Sequence, residues 1–188
     1  MEKLLKLIRR EFAKARMMMA MDELNVIQSS KTLYDKLEAM NEAEFLKLAQ
    51  ARFKDITGED AVGTISPAWL LLLLSQYDPT TEYVYLNEVG RKQERFAEAV
   101  FSSANKLAAI ARAAKLWINQ TAQFTLTVER AAVLEAYKKM GVKRVQWFTQ
   151  PDERKCPECK SMHGNIYDID KVPPAPHHRC RCYLVPVK

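Results

Sequence analysis

The chain has 188 residues, of which 48% are hydrophobic, and a formal net charge of +6 at pH 7. This composition excludes intrinsic disorder of the whole chain. The longest apolar run, from Ala68 to Leu74, is far shorter than the ~20 residues that a membrane-spanning helix needs. Charges near the start exclude the apolar core of a signal peptide. We therefore expect a protein made in a reducing cytoplasm, where clustered cysteines favour metal binding over disulfides.

The positive charge is concentrated near the C-terminal end. Residues 138–188 hold 11 basic and 5 acidic side chains, an excess equal to the net charge of the whole chain. This predicts contact with a polyanion such as nucleic acid. The alternatives are a solvated basic surface and lysines that offset the charge of a thiolate site. The side chains predicted for nucleic-acid contact are Lys138, Lys139, Lys143, Arg144, Lys155, Lys160, Arg179 and Arg181.

Helical periodicity dominates the first part of the chain. Apolar residues recur at three- and four-residue steps from Leu4 to Met19, which predicts an amphipathic helix. A second helix is predicted at 33–40 and a third at 45–53. Asn41 and Glu44 resemble a capping box that begins the third helix.

A loop, a short helix and two long helices are predicted next. Ser66-Pro67 is typical of a helix start. The long helices are rich in Ala, Glu, Lys and Arg, and the second is expected to be interrupted near Asn119. Gly141 is expected to end it, since glycine readily takes a left-handed conformation. The predicted segments are a loop at 58–67, a helix from Pro67 to Leu74, a break at 78–81, and helices at 82–103 and 104–140.

The pattern changes after Gly141. Partly alternating β-branched and aromatic residues predict a strand at 142–149, and two shorter strands are predicted at 165–168 and 183–187. We therefore predict an α+β protein that is mainly α. A helical region at 1–140 would make protein contacts, and a small zinc-stapled β and loop module at 141–188 would follow it.

All four cysteines and all three histidines lie in the last 33 residues. Cys156 and Cys159 are separated by two residues, a spacing that lets both reach one ion from a tight turn. Zinc suits such a cluster because it accepts thiolate and imidazole in a tetrahedron. Such a small module has little hydrophobic core, so the metal would contribute much of its folding energy. A closed site of this kind argues against metal catalysis, which needs an open coordination position.

The second ligand pair has several candidates. On a regular strand Cys180 and Cys182 would face one way but lie a long step apart. This favours pairing one of them with a histidine, although an irregular loop would present both. Reduced buried thiols or a disulfide are the alternatives to a metal. The candidates are His163, His177, His178, Cys180 and Cys182; the first predicted set is Cys156, Cys159, His177 and Cys180, and the second has Cys182 in place of His177.

The ordered motifs of the C-terminal segment resemble those of one protein family. The motifs are Trp147-Phe148-Thr149, Asp152-Glu153-Arg154, Cys156-Pro157-Glu158-Cys159, Gly164, Pro173-Pro174, His177 and Cys180-Arg181-Cys182. With the preceding helix, which carries Thr127 and Arg130, the segment at about 120–188 resembles the Mu F-like phage head morphogenesis family, or minor head proteins. Residues 1 to about 110 carry no motif of that family.

The resemblance implies a structural, non-enzymatic protein of a tailed-bacteriophage head. Such a protein is made in the bacterial host cytoplasm and becomes part of a multi-copy virion assembly. It acts near the portal in head morphogenesis and in DNA packaging or delivery. The implied partners are the portal protein or the major capsid protein, with DNA as a further contact and no membrane.

Two other functions share parts of the pattern. An HNH-type nuclease would show a CxxC pair, the Asp168-Ile169-Asp170 segment and a His-x-x-Cys pair in this order. Such enzymes need a histidine general base beside a catalytic metal, and no Asn/His ligand pair follows Cys182, which argues against this function. A zinc-ribbon nucleic-acid-binding protein is the other alternative.

Overall fold

The computed structural model describes residues 2–18, 23–78, 83–151, 156–177 and 180–187, and the structural statements below refer to these residues. Long helices fill most of the first 139 positions, and a small antiparallel sheet follows. The helices of this first part are α1 (Glu2–Met18), α2 (Glu23–Thr57), α3 (Pro67–Leu74), α4 (Tyr85–Ser102) and α5 (Lys106–Lys139). The predicted α+β class, mainly α, is confirmed.

The helical part is built around α2 and α5, which pack along each other and against α1 and α4. The apolar face predicted for α1 is buried, with Leu4, Ile8 and Phe12 at most 3% exposed. Phe12 makes edge-on contacts with Tyr34 of α2 and Phe96 of α4. These apolar faces form one hydrophobic cluster that runs through the bundle.

The capping box predicted at Asn41 is wrong, because α2 is a single helix that runs through this position. Asn41 is fully buried, and its Nδ2 donates hydrogen bonds to the hydroxyl oxygens of Tyr85 and Thr121, each at 2.9 Å. These partners on α4 and α5 occupy the amide nitrogen of a side chain that would otherwise favour a helix start. The residues predicted as two helices therefore continue as one.

The interruption predicted near Asn119 is also wrong, since α5 is continuous from Lys106 to Lys139. Gln120 and Thr121, which suggested a break, are buried against the bundle. Polar residues in this stretch therefore mark an internal contact and not a loop.

The predicted loop and short helix are confirmed. Ser66 is the N-cap of α3 and its Oγ accepts a hydrogen bond from the Trp69 N–H at 3.2 Å. Two short strands that were not predicted follow, β1 (Tyr77–Asp78) and β2 (Tyr83–Val84), which pair antiparallel. Of the break predicted at 78–81, Asp78 lies in β1 and residues 79–81 lie outside the described residues.

The three predicted C-terminal strands are confirmed as one antiparallel sheet in the order β4-β3-β5. They are β3 (Arg144–Phe148), β4 (Ile166–Asp168) and β5 (Tyr183–Val187). A short helix, α6 (Pro157–Met162), lies between β3 and β4 and was not predicted. Val145 and Trp147 share one face of β3 and are fully buried, as alternation along a strand requires.

The end of α5 joins the two parts of the chain. Gly141 has φ +76°, and its N–H donates to the Lys138 carbonyl, as predicted for a glycine C-cap. Tyr137 of α5 donates a hydrogen bond from its hydroxyl to the Leu184 carbonyl of β5 at 3.2 Å. Side chains of α5 belong to both hydrophobic clusters, so this helix packs on both sides of residue 141. The division into two domains at this residue stays a prediction.

Candidate metal centre

The first cysteine pair is presented by the start of α6. Cys156 is the N-cap of this helix, Pro157 occupies its first turn, and Cys156 Sγ accepts a hydrogen bond from the Cys159 N–H at 3.1 Å. Proline is well suited to this position because the first helical residues need no N–H partner. The Cys156-Pro-Glu-Cys159 spacing thus follows from one helical turn that directs both sulfurs to the same side.

Four other donor side chains lie around Cys159, and they are Cys156, His177, Cys180 and Cys182. The Cys159 sulfur lies 3.0 Å from His177 Nε2 and 3.6 Å from Cys180 Sγ. Two groups of three have donor atoms within 4.8 Å of one another and share Cys159; they are Cys156, Cys159 and His177, and Cys159, Cys180 and Cys182. The four cysteines are free thiols in this arrangement, with no disulfide between them.

The distances fit a tetrahedral ion with sulfur and nitrogen ligands. Two thiolates on zinc, each about 2.3 Å from the ion, lie about 3.8 Å apart, close to the Cys159–Cys180 separation of 3.6 Å. The same geometry places a thiolate and an imidazole about 3.6 Å apart, somewhat farther than Cys159 and His177 are here. The chemistry and spacing of the donors therefore fit a metal ion.

The burial of the sulfurs affects their protonation. Burial raises the pKa of Cys159 and that of Cys180, because buried thiolates lack solvation. Burial acts in the same direction on Cys182, but hydrogen-bonded contacts with Cys159, Cys180 and Thr149 outweigh it and lower that pKa. A cation that replaced the thiol protons would stabilise all these sulfurs as thiolates.

Buried hydrogen-bond donors lie beside the cluster. Nε and Nη2 of Arg130 are enclosed and have no hydrogen-bond partner among the described residues, and the Trp147 side chain contacts Cys182 and lowers the pKa of that thiol. The Arg130 guanidinium lies 4.0 Å above the Trp147 ring centroid. Burial lowers the pKa of Arg130, and the nearby Cys180, Cys182 and Cys159 act in the opposite direction. Donors left unpaired in this way fit a neighbour that is more negative than neutral thiols.

The fold brings all the residues of both predicted ligand sets together, so the geometry favours neither set. Cys156, Cys159 and His177 of the first set form one group, while Cys180 joins Cys159 and Cys182 in the other. Residues 180–182 precede β5 and are not strand, so the irregular-loop alternative for Cys180 and Cys182 applies. Which four of the five residues would bind an ion stays a prediction.

The other two histidines have different outcomes. His163 accepts a hydrogen bond at Nδ1 from the Thr149 N–H at 3.0 Å and packs edge-on against Phe148. It therefore supports the β3 end and does not join the donor groups found among the described residues. His178 lies outside the described residues.

The basic residues predicted to contact nucleic acid have different surroundings. Lys138 Nζ lies 2.9 Å from Asp170 Oδ1, and Lys139 Nζ lies 3.6 Å from Glu59 Oε2. Lys155 and Arg179 lie outside the described residues, as do residues 152–154 of the motif series. The remaining predicted contacts are exposed and are Lys143, Arg144, Lys160 and Arg181. Trp147 is fully buried, so it packs and does not offer a face to a base.

Sequence reasoning did not include Arg130, Thr149 or α6 in the site. Thr149 donates a hydrogen bond from Oγ1 to the Cys159 carbonyl at 2.7 Å and lies 3.7 Å from Cys182 Sγ. The signal for α6 was Pro157 directly after a potential N-cap. Thr149 and Arg130 belong to the motifs that resemble the family, but no spacing marks them as neighbours of the cysteines, because each meets the cluster only through the fold.

Comparison with known proteins identifies the family. The family described as phage Mu protein F like protein matches residues 87–185, which is more than half of the chain. The chain belongs to the phage Mu protein F-like family. Membership in this family points to phage head morphogenesis and to a place in the virion. No curated protein and no solved structure matches the chain.

The phage Mu protein F-like match corrects the predicted extent of the resemblance. It begins at Asn87 in α4, well before the predicted start near residue 120, and ends at Val185 in β5. The family region therefore combines α5, most of α4 and the Cys/His cluster. No helix in the described part of the chain is both long and apolar enough to span a bilayer.

Proposed function

We propose that this protein is a minor, non-enzymatic structural component of a tailed-phage head. The observation that carries the proposal is the family match across residues 87–185, which includes the complete Cys/His cluster. In this proposal the protein acts near the portal during head assembly and DNA packaging or delivery. The C-terminal module is a rigid docking part, and the helical part makes protein contacts.

A structural zinc ion is the proposed staple of that module. Sulfur and imidazole donors in four-coordinate spacing are the ligand chemistry of structural zinc sites. Among the described residues, the hydrophobic cluster of the module has six buried members, and two of them are the cysteines Cys159 and Cys180. Metal ligation would therefore replace hydrophobic burial as the main source of its stability.

Portal or capsid docking is proposed for the helical part. Several large apolar side chains are exposed there, and contiguous exposed apolar surface marks interaction sites. Leu71 and Leu72 are adjacent on α3 and are 55% and 62% exposed. Others in the same part of the chain are Ile27, Val62, Leu107 and Leu116.

DNA contact is proposed as a secondary property of the module. Lys143 and Arg144 lie exposed at the start of β3. Binding through such cations falls steeply with salt, because it depends on the release of counterions. Replacing both with Gln should weaken DNA binding by the full chain and reduce its salt dependence, whereas replacing exposed Lys106 of α5 should not.

Nuclease activity is less compatible with this geometry. A histidine general base must lie within reach of the water or hydroxyl from which it takes a proton. His177 Nε2 instead lies 3.0 Å from Cys159 Sγ inside the cluster. We expect no Mg²⁺-dependent cleavage of plasmid DNA by the purified protein. Cleavage that disappeared in His177→Ala would contradict the proposal.

The location of the protein during phage assembly tests the proposed function. Mass spectrometry of purified procapsids and mature heads should find it in at least one of them, at low copy number beside the portal. Leu71→Asp combined with Leu72→Asp should reduce this incorporation, while Lys115→Asp, at an exposed polar position of α5, should not. Absence from heads at every assembly stage would contradict the proposal.

A further inference from the structure

Arg130 connects the helical part to the candidate metal centre. It lies on α5, and its guanidinium lies 4.0 Å above the ring centroid of Trp147 on β3. Stacking on an aromatic face holds the plane of a guanidinium and attracts its charge. The side chain is therefore fixed between the two parts of the molecule.

Two of the three guanidinium nitrogens of Arg130 lack hydrogen-bond partners among the described residues. Nε and Nη2 are buried and make no hydrogen bond to any described residue. Arg130, Cys180 and Cys182 also line the same cavity, of about 920 Å³, between α5 and the module.

The charge of a loaded centre would match this arrangement. Zinc with three thiolates and one imidazole carries one net negative charge, and with four thiolates it carries two. Burying such a charge costs free energy unless an opposite charge or hydrogen-bond donors compensate it. Arginine stays protonated in proteins and offers several donors in a planar fork.

We propose that Arg130 is a positioning residue for the metal centre. Its guanidinium offsets the charge of metal-bound thiolates and donates hydrogen bonds to their sulfurs, so that a side chain of α5 completes a centre formed by the C-terminal module. Metal binding and the docking of α5 on the module are then coupled. This inference rests on the metal centre of the proposed function.

Zinc affinity of Arg130 variants tests the inference in the full chain. Arg130→Met keeps an apolar contact with Trp147 and removes the charge, whereas Arg130→Lys keeps the charge. Arg112→Met, at an exposed position of the same helix, controls for the loss of one positive charge. Dissociation constants come from competition with a zinc chelator, and the cobalt-substituted protein reports bound thiolates through its thiolate-to-cobalt absorption.

We expect Arg130→Met to weaken zinc binding by about 10- to 100-fold, the usual effect of removing a partner of metal ligands. Arg130→Lys should bind zinc with near-normal affinity because it keeps the charge, and Arg112→Met should bind like the unchanged protein. The cobalt spectrum at saturation should be the same in all variants, because the ligands themselves are kept.

Two results would overturn the role of Arg130 while leaving the metal centre intact. One is unchanged zinc affinity in Arg130→Met. The other is an equal loss in Arg130→Lys and Arg130→Met, which would show that the arginine acts by packing alone. If Arg130→Met does not fold, the comparison of Arg130→Lys with Arg112→Met decides, since a charge role predicts near-normal affinity for both. Failure of the unchanged protein to bind zinc would overturn both proposals.

Discussion

At the scale of single residues, Cys159 is the common member of both donor groups. It is 3% exposed and contacts His177 and Cys180 through its sulfur. Both donor groups and both predicted ligand sets contain Cys159. The proposed zinc staple therefore depends on this residue more than on any other.

We predict that Cys159→Ser loses about 100-fold or more in zinc affinity. Structural zinc binding contributes about 10–16 kcal/mol, so one of four ligands accounts for about 3 kcal/mol. Isothermal titration or chelator competition measures the loss, and Ser161→Ala on the same helix is the control. Cys182→Ser separates the two predicted sets, since only the second set needs it. Unchanged affinity in Cys159→Ser would contradict the proposed centre.

Asn41 makes a separate prediction about the helical core. Asn41→Ala removes the donor to Tyr85 and Thr121 and leaves buried hydroxyls with fewer partners. We expect the free energy of unfolding to fall by about 2 kcal/mol, because unsatisfied buried polar groups are costly. Urea denaturation measures this, with Asn87→Ala at an exposed position of α4 as the control. Equal effects in both variants would show that Asn41 does not join the helices.

At the scale of elements, the end of α5 depends on Gly141. Its φ of +76° is unfavourable for any side chain, although an added Cβ would meet no atom within 4 Å. Gly141→Ala should therefore cost about 1 kcal/mol through backbone strain alone. Gly90→Ala, inside α4, should instead stabilise the protein by about 1 kcal/mol. Denaturation midpoints that shift in the same direction for both variants would contradict the assigned helix end.

The packing of α1 on α2 includes an ionic contact with a predictable pH dependence. Glu11 of α1 accepts a hydrogen bond from Lys36 of α2 at 2.8 Å, and this contact and that with Lys14 lower the pKa of Glu11 despite its burial. A lowered pKa contributes stability above the unfolded-state value near 4.3, and that stability is lost as pH falls through the folded-state value.

Glu11→Gln should consequently destabilise the protein at pH 7 by less than about 1 kcal/mol, since the lysine partners are half exposed. The difference from the unchanged protein should shrink as the pH falls below about 4. Thermal melting across this pH range measures it, with Glu98→Gln on the exposed face of α4 as the control. A difference that is constant with pH would exclude the ionic contact as its cause.

Local patterns predicted the elements well where local chemistry decides them. The Ser66-Pro67 helix start, the Gly141 helix end and all three C-terminal strands follow from capping, turn and alternation signals. The errors at Asn41 and Asn119 have one physical origin. Asn41 donates to Tyr85 and Thr121 on other helices, and Gln120 is buried against the bundle. No window of local sequence reveals either environment.

At the scale of the whole molecule, the sequence predicted which residues could form the metal centre but not how the fold completes it. The spacing of the cysteines and histidines was enough to nominate the ligands. The position of Arg130 depends on α5 crossing the module, a long-range contact with no local signal. The match from residue 87 onward likewise shows that the family region includes this helix and not the module alone.

Metal content of the purified full-length chain tests the central claim most directly. Elemental analysis by mass spectrometry, on protein prepared without chelators, should find one zinc ion per chain. Its removal should free the thiols for titration and lower the thermal stability of the protein, because ligation contributes to folding. A folded protein that holds no metal and titrates with four free thiols would contradict the account.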